Sequence, residues 1–181
     1  MRPGQDLVIG GFIGLEGTIY ATKHKKETLR RILPEDLLET AAGFWRYLEV
    51  DLETVAKKCC SGVTVWMVKE GGIFTALWNM AEEYRMGLTV YLRRIPIRQE
   101  TVEVCEALGL NPYGLQSGGC VLLAADNGND VLWEFEKAGI CGAVIGKVTD
   151  SNDRIILNGD ICSHLNRPEP DEIKKLEDME R

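Results

Sequence analysis

The chain has 181 residues, with 21 lysines and arginines against 28 aspartates and glutamates, a net charge of −7; 45% of it is hydrophobic and 27% charged. This is the composition of a globular domain long enough to bury a core without disulfide or metal staples, and it excludes collagen-like, low-complexity and disordered classes for the body of the chain. The acidic balance offers no basic track for a phosphate backbone, which argues against nucleic acid as a partner. No apolar run approaches the ~18 residues of a membrane span, and Met1–Asp6 lacks the apolar stretch of a signal peptide.

In chain order, Asp6–Ile13 reads as a strand with a Gly-Gly interruption, and Gly14–Gly17 as a tight loop. Thr18 is placed to cap a helix reaching about Arg31. Pro34 opens a second helix, with Leu37, Leu38, Ala41 and Phe44 or Trp45 at helical spacing, and Asp51–Cys60 is a third. Val63–Val68 is β-branched and aromatic, hence a strand, and Glu70-Gly71-Gly72 turns into a helix over Ile73–Tyr84.

Leu88–Leu92 alternates as a strand, Arg98–Gly109 forms a helix, and Asn111–Gly114 and Ser117–Gly119 are turns. Cys120–Ala125 is a nearly continuous apolar run, the pattern of a central strand. A helix capped by Asp126 or Asn127 runs to Ala138, followed by strands at Cys141–Val148 and Arg154–Leu157. Ten of the last fifteen residues are charged, so Arg167–Arg181 reads as a solvated tail or helix after a domain covering residues 1–166. The expected fold class is α/β (α+β): a mixed sheet with packed helices. Its Cys120–Val148 section resembles half of a ferredoxin-like unit.

Six cysteines (Cys59, Cys60, Cys105, Cys120, Cys141 and Cys162) form no CxxC, and only His24 and His164 could supplement them. Neither spacing suits zinc, so no metal site is expected, and the thiols read as small core residues of a cytoplasmic protein. The pairs Glu82-Glu83 and Asp171-Glu172 read as solvent-facing. No nucleophile elbow, HExxH or triad is present, and no catalytic residue is assigned. Two strand–loop–helix turns remain: Gly14-Leu15-Glu16-Gly17-Thr18 and Lys69-Glu70-Gly71-Gly72. Such turns let backbone N–H groups and a helix dipole face an anion. Neither is a Walker A or GxGxxG sequence, and a tight turn needing positive φ is the more frequent meaning of such spacing.

The ordered motifs Pro3–Val8, Ile13–Thr18, Glu70–Trp78, Ile95–Thr101, Leu110-Asn111-Pro112, Gly139-Ile140 and Ile145–Val148 together resemble a known family. It is the C-terminal domain of aminoimidazole-ribonucleotide synthetase-related (PurM-like) proteins, and the nearest branch is the hydrogenase maturation carbamoyl dehydratase (HypE-like) group. The resemblance covers about residues 3–165. It implies a PurM C-terminal-domain-like fold and a two-domain enzyme that transfers the γ-phosphoryl of ATP to a carbonyl- or amide-type oxygen. ATP and Mg²⁺ would be bound mostly by an N-terminal half outside these residues, and a homodimer is common. On this resemblance the phosphate- or substrate-binding positions are Gly14, Glu16, Gly17, Thr18, Lys69, Glu70, Gly71 and Gly72.

Two departures stand out. The family's second loop commonly reads Asp-x-Thr-x-Gly-Gly, where Met67 and Lys69 stand here, and the maturation enzymes' Gly-Asp-His-Gly is Gly14-Leu15-Glu16-Gly17. The carbamoyl dehydratase carries its acceptor thiol at its C-terminus. The last cysteine here is Cys162, nineteen residues from Arg181, so the expected substrate is a separate small molecule or protein. The competing expectation is a stand-alone small-molecule-binding or regulatory module without catalysis.

Overall fold

The computed structural model describes residues 1–59 and 62–178. Cys60, named above, lies outside them. The elements in order are β1 (Asp6–Gly11), α1 (Leu15–His24), α2 (Lys26–Leu29), α3 (Glu35–Ala42), α4 (Trp45–Leu48), α5 (Leu52–Cys59), β2 (Thr64–Val68), α6 (Gly72–Tyr84) and β3 (Gly87–Tyr91). They continue with α7 (Gln99–Leu108), β4 (Cys120–Ala125), α8 (Gly128–Lys137), β5 (Gly142–Thr149), β6 (Arg154–Asn158), β7 (Ile161–His164) and α9 (Ile173–Asp178).

The strands form one sheet in the order β2-β4-β1-β5-β3-β6-β7. Every neighbouring pair is antiparallel except β3 with β6. Strand β1 therefore lies between β4 and β5, which α8 connects as parallel strands: the split βαβ of a ferredoxin-like unit. The alternation of β1 and β4 sends residues to both faces. Leu7, Ile9, Leu122 and Ala124 meet Ile73, Leu77 and Met80 of α6 on one face. On the other, Val8, Val121 and Leu123 meet Leu52 and Ala56 of α5 and Val131 and Phe135 of α8. All six residues of β4 are buried, as its apolar run predicts.

A third cluster lies off the sheet, where Ala21 of α1, Leu29, Leu38, and Val104, Cys105 and Leu108 of α7 enclose Leu115, Ile173 and Leu176. The charged C-terminal segment thus docks through two apolar residues. Asp171 and Glu172, expected in solvent, are 4% and 8% exposed.

Three other expectations change. The first helix begins three residues before Thr18, on Gly14 at φ 72°, and Thr18 Oγ1 donates to the Gly14 carbonyl at 2.7 Å from within the first turn. Lys25, at φ −114°, leaves the helical region and divides the expected single helix into α1 and α2. Strand β7 was not expected. Asn158 pairs with Ile161, and the two-residue turn Gly159 (φ 62°)-Asp160 brings β6 back onto Ile161–His164, an arm too short and polar to register as a strand.

Candidate functional site

Both glycine turns sit where a strand or its extension gives way to a helix. Gly14 (φ 72°, ψ 4°) precedes α1 and Gly71 (φ 76°, ψ 6°) precedes α6, each left-handed, the conformation glycine adopts without penalty. Neither helix start has a side-chain cap from its own N-cap residue. Their N–H groups must find partners elsewhere.

At the first turn they come from the stretch Tyr113–Gly118, which packs against both turns; at the second they come from Lys69 and Asp171. At the first turn the Gly14 N–H donates to Ser117 Oγ at 2.7 Å, and the Gly17 N–H to the Gln116 carbonyl at 3.0 Å. Glu16 reaches back, its Oε2 accepting the Gly118 N–H at 3.0 Å. Thr18 Oγ1 and Thr101 Oγ1 lie 3.1 Å apart, tying α1 to α7. Gly17 is pressed against Leu115: a Cβ there would lie 2.3 Å from Leu115 Cγ.

At the second turn the Lys69 carbonyl accepts from the Gly72 N–H at 3.1 Å and the Ser117 N–H at 3.3 Å. A Cβ on Gly72 would lie 2.5 Å from the Tyr113 carbonyl oxygen and 2.7 Å from that of Leu115. The Tyr113 ring stacks on Phe74 of α6, with centroids 5.2 Å apart. The Gly71 N–H donates to Asp171 Oδ2 at 2.6 Å.

Of the eight positions singled out, Gly14, Gly17, Thr18, Gly71 and Gly72 are buried, Glu16 is half-buried, and Lys69 and Glu70 are exposed. Glu70 pairs with Lys174 at 3.3 Å. The tertiary fold brings the two turns together across a shared wall, although they lie 51 or more positions apart in sequence. Ser117, Leu115 and Asp171 complete the arrangement. Ser117 carries a legible signal, a serine before Gly118-Gly119, but that stretch reads simply as a turn. Asp171 sits in a charge-rich run with nothing to mark it as buried.

Two cavities flank the second turn. One of about 410 Å³ is lined by Gly71, Phe74, Asn111, His164, Arg167 and Glu172 among others, and one of about 430 Å³ by Glu70, Gly71, Asp171 and Lys174 among others. On the far side of the Gly118-Gly119 turn a smaller cavity, about 260 Å³, takes in Phe12, Tyr47, Arg98, Gly119 and Cys141.

The buried thiols are not activated. Burial and the nearby Glu172 charge push Cys105 up to about 12, and burial alone pushes Cys120 up further. Burial also raises Cys141, against the opposing pull of Arg98. Among the described residues no group of three or more His, Cys, Asp or Glu side chains could hold a metal ion. No described helix is long and apolar enough to cross a membrane.

Residues 63–158 match the family described as AIR synthase related protein, C-terminal domain. The carbamoyl dehydratase HypE of Rhizobium leguminosarum bv. viciae is 27% identical over 162 residues, covering 86% of this chain and 43% of that protein. The crystal structure of E. coli HypE superposes with a TM-score of 0.73 at 17% identity, over 96% of this chain and 53% of that one. A structure of HypE in complex with ATP gives 0.69 at 16% identity, over 95% and 53%. The chain spans less than half the length of the curated relatives it matches. The solved structures bear out the mixed-sheet fold with packed helices that the motifs imply.

Proposed function

The chain belongs to the AIR synthase-related C-terminal-domain family, and from that premise we propose that it is the phosphate- and substrate-facing domain of an ATP-dependent enzyme. One observation carries this reading: two glycine turns distant in sequence share the single wall Tyr113–Gly118. In such an enzyme the γ-phosphorus forms a bond to a carbonyl- or amide-type oxygen of the substrate while its bond to the β,γ-bridging oxygen breaks. ADP departs, and the phosphorylated oxygen becomes a leaving group. Positioning and charge stabilisation do most of the work in this kind of transfer.

This domain's part is to bind and orient. Gly14, Gly17, Gly71 and Gly72 bring the backbone close, Glu16 and Thr18 fix the first turn, and Lys69 offers a cation beside the second. ATP and Mg²⁺ belong mostly to an N-terminal half, and no step is assigned to a metal on this chain. A carbamoyl-type substrate of hydrogenase maturation is the nearest precedent, since a relative of this chain is named carbamoyl dehydratase. The whole enzyme is a cytoplasmic homodimer on this reading.

The test joins this chain to the Mg-ATP-binding half of a related protein and follows ADP release with a carbamoylated or amide substrate. Substrate-dependent turnover of the assembly, absent from this chain alone and lost in Glu16→Gln, is the expected result. ATP turnover by the chain alone that survives repurification and disappears with a point mutation in it would overturn the reading.

A second reading, a stand-alone small-molecule-binding or regulatory module, is favoured by one observation. Met67 and Lys69 stand where the family's second loop carries Asp and Thr, which removes a polar pair from the turn. Calorimetry with ATP, with and without Mg²⁺, separates the two: the module reading requires binding by this chain without its partner half.

A further inference from the structure

The second turn already holds an anion, and the chain supplies it. Asp171 Oδ2 accepts the Gly71 N–H at 2.6 Å, while Oδ1 accepts the N–H groups of Gln116 at 3.2 Å and Ile173 at 3.0 Å. Three backbone donors from three separate segments converge on one carboxylate that is 4% exposed. The 13-residue helix α6 starts at this point and adds the positive end of its dipole. A phosphoryl group makes the same demand on such donors, anionic oxygens accepting backbone N–H groups, so the two compete for one set of bonds.

The segment bearing Asp171 is fastened around the turn. Glu172 Oε2 accepts the Asn111 N–H at 3.0 Å, and the Glu172 N–H donates to the Gly114 carbonyl at 3.3 Å. Lys174 Nζ lies 3.3 Å from Glu70 on the turn itself. Ile173 and Leu176 are buried in the helical cluster. Before it, Pro168, Glu169 and Pro170 run between the cavities of about 410 and 430 Å³, both of which reach Gly71 and Thr75. The segment therefore both fills the turn and walls off the space beside it.

We propose that residues 167–178 are an internal latch, with the Asp171 carboxylate standing where a phosphoryl oxygen would sit at Gly71, so that anion binding at this turn requires the latch to be displaced. The inference rests on the reading of Gly71-Gly72 as a phosphate-facing turn, and it adds regulation to that reading: the domain is closed at rest and opens when a competing anion or a partner surface draws the segment away. Two side chains connect the latch to the turn in different ways. Asp171 is the buried occupant, and Lys174 is an exposed tether through its pair with Glu70.

The experiment titrates the full 181-residue chain with inorganic phosphate and follows the backbone amide resonances of Gly71, Gln116 and Ile173. It compares the wild type with Asp171→Asn, which keeps the side chain's size but not its charge, and with Lys174→Glu, an exposed change that repels Glu70 without touching the buried carboxylate. The half-saturating phosphate concentration at Gly71 and Gln116 is expected to fall roughly tenfold in Asp171→Asn, the worth of one charged hydrogen bond. A smaller shift in the same direction is expected in Lys174→Glu. Equal phosphate dependence in all three proteins would overturn the latch while leaving the turn as an anion site. No response at Gly71 in any of them would overturn the latch and the phosphate-facing reading of this turn together.

Discussion

The turns at Gly14 and Gly71 are nearly the same backbone: φ 72° and ψ 4° at one, φ 76° and ψ 6° at the other, each opening a helix. They differ in what satisfies the first free N–H. At Gly14 it is a neutral hydroxyl, Ser117 Oγ, from 103 residues away; at Gly71 it is a carboxylate, Asp171, from 100 residues away. The first turn is held by the shared wall, to which Glu16 reaches back. The second is closed by a removable segment. Identical local geometry therefore says little about whether a turn is free to take a ligand, because the deciding group is the tertiary one that reaches its amides.

The strongest way to break this comparison is at the wall both turns share. Gly72→Ala sets a Cβ against the carbonyl oxygens of Tyr113 and Leu115 at φ 63°, where neither backbone group can rotate away. The left-handed penalty and the overpacking together should cost roughly 4 kcal/mol. Gly17→Ala meets only the Leu115 side chain, so it should cost about 2 kcal/mol. Urea melts of the two variants check the order, and a larger loss at Gly17 would show that the wall yields at its backbone rather than at Leu115.

Next in size is the contrast between the occupants. Asp171→Ala strips the Gly71, Gln116 and Ile173 N–H groups of their acceptor inside the protein, an expected loss of about 2 kcal/mol. Ser117→Ala removes one acceptor for Gly14, an expected loss of about 1 kcal/mol. Equal losses would mean that the charge at the second turn contributes nothing beyond its geometry.

A third helix start sharpens the comparison with the smallest effect. Asp6 Oδ2 accepts the Gly128 N–H at the head of α8 at 2.9 Å, and its Oδ1 accepts from Lys147 at 2.7 Å. Burial pushes this carboxyl up, but the hydrogen bonds of Lys147 and Gly128, with the Lys147 charge, outweigh it and hold the group below the ordinary aspartate range. A depressed carboxylate contributes stability that is complete above the unfolded value of ~3.9 and is lost as pH falls through the native value. Asp6→Asn should therefore leave a shallower acid-side decline in thermal stability, with little change in its slope near neutrality. An unchanged acid limb would remove Asp6 from the set of carboxylates that hold helix starts.

Much of this was legible in the chain itself. The apolar run Cys120–Ala125, the strand at Asp6–Ile13 and the helical spacing in Ile73–Tyr84 announced a mixed sheet with packed helices, because the period of burial is written into the order of side chains. The glycine turns were legible for the same reason: positive φ at a strand-to-helix junction leaves few residue types to choose from. The Gly14 cap was misplaced by four residues because Thr18 has the chemistry of a cap, yet its hydroxyl finds the Gly14 carbonyl from inside the helix.

What the sequence could not contain is which distant groups meet. Ser117 at the first turn, Asp171 at the second and the burial of an acidic pair in a run of charges follow from the docking of Ile173 and Leu176 into a cluster built by α1 and α7. A carboxylate reads as solvated until three N–H donors are brought to it. The Ile173 N–H is local, but no local pattern records the other two donors, because Gly71 and Gln116 lie on segments that only the packed core brings to Asp171.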